Sequence, residues 1–113
     1  MYCNDVLEFA KLHQKPVMIA ESSPIKGITS SDSEVWENWL LNLFTFVYSK
    51  NVKVLCFINE NLQELEIDGI NEWKDARLNN NDLVSKAWFK ETAKDKYLKA
   101  DENLFEILSF SKK

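Results

Sequence analysis

The chain has 113 residues, 45% hydrophobic and 28% charged, with two Gly and two Pro, a balance that excludes disorder and low-complexity sequence and gives one domain at most. Its net charge is −4, and no run of residues gathers the positive charge that neutralises phosphates, so nucleic acid is not an expected partner. Apolar stretches stop far short of the ~20 residues that cross a bilayer. Met1-Tyr2-Cys3-Asn4-Asp5 lacks a signal-peptide pattern, and Cys3, Cys56 and the lone His13 make neither a disulfide framework nor a zinc ligand set.

Residues 5–13 carry apolar side chains three and four apart behind Asp5, which reads as the N-cap of a short helix. Lys15-Pro16 turns the backbone extended, and Val17 to Ala20 follow as an apolar strand that ends at Glu21. After a loop holding Pro24 and Gly27, Ser31-Asp32-Ser33-Glu34 predicts a capping box, with Ser31 as cap and Glu34 returning the bond. A helix is expected from Val35 to Tyr48, with Trp36, Trp39, Leu40, Leu43 and Val47 on one face and Leu41, Phe44 and Phe46 widening it. Asn51 terminates it, and Val52 to Ile58 form a second apolar strand ending in Asn59 and Glu60.

A strand, a helix and a strand of these lengths make a βαβ unit with parallel strands, which places Glu21, Asn59 and Glu60 on one edge. Ligands of covered parallel sheets bind at that edge, which makes Glu21 the first candidate for chemistry. The long segment Asn61 to Asn80 follows, with Trp73, Asp75 and Arg77; loops of that length are often functional. Asn81 or Asp82 caps a third helix running to about Lys94 with Val84, Ala87 and Trp88 inward, and a last helix spans roughly Glu102 to Phe110. Two parallel strands are too few for a covered sheet, so this α/β chain of two strands and about four helices reads as the tail of a longer domain.

Four pieces of the sequence resemble the final quarter of the TIM (β/α)8 barrel of β-mannanase-like glycoside hydrolases, family 26 and its relatives. Lys15-Pro16-Val17-Met18-Ile19-Ala20-Glu21-Ser22-Ser23-Pro24 is similar to the seventh strand, which ends in the catalytic nucleophile. Trp36 with Trp39 resembles the helix that follows. Val54-Leu55-Cys56-Phe57-Ile58-Asn59-Glu60-Asn61 looks like the eighth strand, and Trp73-Lys74-Asp75-Ala76-Arg77-Leu78 looks like the Trp-x-Asp-x-Arg signature beyond it. Leu83 to Leu98 is similar to the closing helix and tail, so residues 1–113 would form a partial catalytic domain.

The resemblance implies a retaining glycosidase acting on polysaccharide or oligosaccharide, extracellular in its full-length form, using neither cofactor nor metal. Glu21 would be the nucleophile, with Asn59 and Trp73 as substrate-binding residues. Retaining enzymes need a second carboxylate about 5–5.5 Å away, and in this family it ends the fourth strand, which this sequence does not contain. The chain would therefore need the missing N-terminal part of the barrel. The alternative is a non-catalytic remnant or a module that binds carbohydrate or protein.

Each candidate also has a plainer reading. Glu21 is otherwise a solvated loop carboxylate or a helix-cap partner, Asn59 is equally a turn residue, and Trp73 a buried anchor. Glu60 is a rim residue, Asp75 and Arg77 are expected to pair with each other or with loop backbone, and Trp36 and Trp39 belong to the core.

Overall fold

A computed structural model describes residues 2–32, 34–65 and 72–108. Helix α1 spans Tyr2–Leu12 and strand β1 spans Met18–Ile19; a wide π-helical turn, Trp36–Leu40, leads into α2, Leu41–Ser49. Strand β2 is Val54–Leu55, α3 is Asp82–Thr92, and α4 is Leu104–Ile107, with single 3-10 turns at Leu62–Glu64 and Leu78–Asn80. The strands pair in parallel, Met18 with Val54 and Ile19 with Leu55. The chain is thus a mixed helix–strand fold built on a two-stranded parallel sheet.

Helix boundaries follow the sequence closely, and their caps differ in instructive ways. Asp5 is not the N-cap of α1; it lies inside the first turn, where a carboxylate still favours the positive end of the helix dipole. Ser31 does not cap the second helix. The helix has no side-chain cap, and Asp32 Oδ1 instead holds the turn that leads into it, accepting from the N–H groups of Glu34 and Val35 at 3.1 Å each. Glu34 turns away and accepts from Asn38 Nδ2 at 3.2 Å. Ser33 lies outside the described residues, as do 66–71 of the long loop and 109–110 at the end of the expected last helix.

Helices α1 and α2 stop in the same way. Gln14 (φ 54°) and Asn51 (φ 56°) take left-handed conformations. Lys15 N–H then reaches back to Ala10 O at 2.8 Å, and Val52 N–H to Val47 O at 2.9 Å, consuming helix-end carbonyls as a Schellman turn does. Each turn feeds directly into a strand.

The regular strands are shorter than the apolar runs that predict them. Additional bonds from Lys53 N–H to Val17 O and from Cys56 N–H to Ile19 O, both 2.9 Å, continue the pairing on either side. Burial on both faces is not realised within this chain. Met18 and Val54, register partners on one face, are 57% and 46% exposed, whereas Val17, Ile19, Leu55 and Phe57 are half-buried.

The core lies away from the sheet, where Ile28, Val35, Leu40, Leu78 and Val84 pack with Trp36, Trp39, Phe57 and Trp88. Trp39 meets Phe57 edge-on at 6.4 Å, and Phe57 and Phe44 lie 5.0 and 5.1 Å from Trp88. The tryptophans of the long helix are core residues, as their face predicts. Asn81 knits this core together. Only 4% exposed, it caps α3 through Oδ1 to Leu83 and Val84 N–H, while Nδ2 donates to Thr29 O and Asp32 O at 2.9 Å.

The segment after α3 is held by Glu91, a buried carboxylate paired with Lys94, with Lys96 at 3.0 Å and with the Tyr97 hydroxyl at 3.0 Å. Burial works to raise its pKa, but the hydrogen bonds from Lys94, Lys96 and Tyr97 outweigh it and hold the carboxyl down to about 2. A folded pKa below the unfolded value of 4.5 means that this stabilisation is complete above 4.5 and is lost as pH falls toward 2. Thermal melts across that window are expected to show a falling midpoint, with a shallower fall in Glu91→Gln. Equal acid slopes for the two proteins would remove Glu91 as a source of the loss.

Candidate functional site

Both strands run toward one rim, and the backbone there is fixed by β1–β2 contacts. Ile19 O accepts from Cys56 N–H and Ser22 O accepts from Ile58 N–H, both at 2.9 Å, while Ser22 Oγ donates to Cys56 O at 2.8 Å. Ala20 and Glu21 are therefore held between two anchored residues. The Glu21 side chain itself is exposed at this edge. A fixed backbone carrying a solvent-facing carboxylate has the form required of a group that meets an incoming ligand.

Asn59 follows β2 on the same edge. Its Oδ1 accepts from Leu78 N–H at 2.8 Å, so at least that end of the amide holds the loop from residue 72 onward. Asn59 thus ties its loop to the backbone at Leu78, which leaves its NH2 group open. Glu60 is exposed and bonds within its own loop, with Oε1 accepting from Asn61 N–H at 2.9 Å and its carbonyl from Ala76 N–H at 3.0 Å.

The Trp73–Leu78 segment is stitched to both strand exits. Lys74 N–H donates to Ile25 O at 3.0 Å, Ile28 N–H donates to Asp75 O at 2.7 Å, and Asn61 bridges Asp75 in antiparallel fashion. Asp75 and Arg77 form a fork, with Nε to Oδ1 at 3.0 Å and Nη2 to Oδ2 at 2.7 Å. The Arg77 guanidinium holds the Asp75 carboxyl down to about 2. This pairing is the one the sequence predicts, and it makes the fork a brace for the loop. Trp73 in the same segment is half-buried.

The structure thus places Glu21, Asn59 and Trp73 on loops that leave or brace the same rim. Two rim atoms that the sequence does not single out are Ser23 Oγ and Asn61 Oδ1, both buried without a hydrogen-bond partner among the described residues. Nothing in the sequence distinguishes them from loop polar residues. Among the described residues no three His, Cys, Asp or Glu side chains gather as a metal would require, and no helix is long and apolar enough to cross a membrane. Compared with known proteins, the chain matches no family model and no curated protein.

Proposed function

We propose that this chain is the C-terminal segment of a retaining glycoside hydrolase acting on β-linked polysaccharide such as mannan, forming the seventh and eighth strands of a (β/α)8 barrel and inactive alone. One observation carries the reading: a parallel strand–helix–strand unit sends Glu21 and Asn59 to one rim while the apolar sheet face bearing Met18 and Val54 stays open. Parallel sheets are otherwise covered on both faces.

The wider surface agrees. The chain exposes 9189 Å², against roughly 6,400 Å² for a compact protein of this mass. Its radius of gyration is 16.3 Å, against about 13 Å for a compact chain of this length. An apolar cleft of about 290 Å³ between α1 and the sheet, lined by Val6, Leu7, Met18, Ile19 and Phe46, adds to the uncovered apolar surface.

In the completed barrel, Glu21 would attack the anomeric carbon and displace the leaving sugar, whose oxygen takes a proton from the acid/base carboxyl supplied by the remaining strands. Water, deprotonated by that same group, would then release the glycosyl ester. Trp73 offers an apolar platform to a sugar face and the Asn59 NH2 group a donor.

The test is complementation. Alone, the 113 residues are expected to self-associate at micromolar concentration and to leave mannan intact, because open strand edges and apolar faces seek cover. Co-expressed with six further β/α units that include the fourth-strand carboxylate, they are expected to hydrolyse it. A chain that stays monomeric at that concentration, with no activity gained on complementation, would favour an interaction module instead.

A further inference from the structure

We infer that the end of the molecule opposite Glu21 holds a binding cleft for a small oligoanion bearing two or more phosphate or sulfate groups. The cleft, about 780 Å³, is lined by Lys11, Lys15, Lys50 and Lys53. Its volume is that of a small-molecule site. It opens where α1 and α2 both end and where β1 and β2 both begin, so two segments far apart in sequence each contribute a pair of lysines.

Charge in the cleft is one-sided. Glu8 is the single carboxylate in the lining, against four ammonium groups, and none of the four lysines is within a salt bridge of a carboxylate among the described residues. Lys53 Nζ donates to Asn51 Oδ1 at 2.6 Å, a neutral acceptor that leaves its charge uncompensated. The concentration of positive charge stands out in a chain whose net charge is −4.

Helix C-termini ordinarily oppose anions, since their free carbonyls carry the negative end of the dipole. Here the carbonyls of Phe9, Ala10 and Lys11 in α1, and of Phe46, Val47 and Tyr48 in α2, all accept backbone N–H groups from the turns. The groups in the lining that suit an anion are the four lysines, with the amides of Asn4, Gln14 and Asn51 among them able to meet hydroxyls or bridging oxygens. Lysine serves phosphate as a point charge on a flexible stem, and four such stems suit separate anionic groups on one small molecule. The lysines ring a half-open cleft between two helix ends, not a basic stripe along a face, which favours a compact ligand over a nucleic-acid strand.

The test uses the full chain on a solubility fusion, with the fusion partner alone as blank, titrated calorimetrically at about 50 mM salt so that screening stays modest. Tripolyphosphate and a persulfated disaccharide are the two probes, and the tighter one identifies the anion's source. Saturable one-site binding of either is expected, weakened roughly tenfold or more by Lys11→Gln, Lys15→Gln, Lys50→Gln and Lys53→Gln together. A control with the same loss of charge elsewhere, at Lys26, Lys74, Lys86 and Lys90, is expected to bind as the parent does. Absence of saturable binding by both probes overturns the proposal. So does equal weakening in the control, which would reduce the effect to net charge, or tighter binding of a single-stranded oligonucleotide than of either probe.

Discussion

Replacing the buried loop residue Gly27 with Ala is expected to lower the thermal midpoint by roughly 10–20 °C. Gly27 has φ +73°, in the left-handed region that costs a side-chain-bearing residue about 1–2 kcal/mol. A Cβ built there would lie 2.4 Å from the Asp75 carbonyl oxygen and 2.8 Å from Lys74 Cβ. Backbone cannot yield cheaply at this point, because the neighbouring Ile28 N–H donates to that same Asp75 oxygen at 2.7 Å and Lys74 N–H is bonded to Ile25 O at 3.0 Å.

Conformational strain and forced separation together come to about 3 kcal/mol, a large share of the 5–15 kcal/mol by which domains are stable. The adjacent exposed Lys26→Ala is the control and is expected to melt with the parent. If Gly27→Ala shifted the midpoint by no more than that control, the close approach of the two loops would not be a source of stability. Loss of the contact would also free the Trp73–Leu78 brace from the Glu21 loop.

The sequence makes some of this legible and hides the rest for physical reasons. Periodicity in Val35 to Tyr48, and the alternation of apolar runs with polar ends at Glu21 and Asn59, suffice to place two parallel strands and the helix between them, because those signals are local. Asn81 reads locally as a cap, yet its other two bonds reach Thr29 and Asp32, some fifty positions back, and no local pattern announces them. The lysine cleft is hidden in the same way. Lys11 and Lys15 lie at the end of one helix and Lys50 and Lys53 at the end of another, so a scan for basic runs passes over both pairs. Gly27 is legible only as a turn residue, since its close neighbour, Asp75, lies in a different loop. Full burial of the strands, by contrast, is an expectation the structure does not meet, since Met18 and Val54 lie open on one face.

In a barrel completed with six further β/α units, Glu21→Ala is expected to cut turnover by a factor on the order of 10⁴ or more while leaving the unfolding midpoint near that of the parent. The two halves of that expectation come from different features. Stability should survive because the Glu21 side chain is exposed, and its backbone is held by Ile19 and Ser22 on either side, not by its own carboxylate. Activity should not, because a retaining mechanism has no route to its covalent intermediate without the carboxylate.

A decisive readout separates a nucleophile from a residue that merely shapes the rim. With an activated β-glycoside and added azide, Glu21→Ala leaves space on the face of the sugar where the carboxylate attacked. Azide then forms the new bond to the anomeric carbon as the aryloxide departs, giving a glycosyl azide of inverted configuration. Recovery of that α-azide assigns the nucleophile to Glu21. Near-normal mannan hydrolysis by the variant would remove Glu21 from the mechanism. Glu60→Ala in the same barrel is expected to keep most of its activity, since Glu60 closes its own turn through Asn61 and is replaced there by water. If the azide product appeared with Glu60→Ala and not with Glu21→Ala, the nucleophile would belong to the eighth strand, and the seventh-strand reading of Lys15 to Pro24 would fall with it.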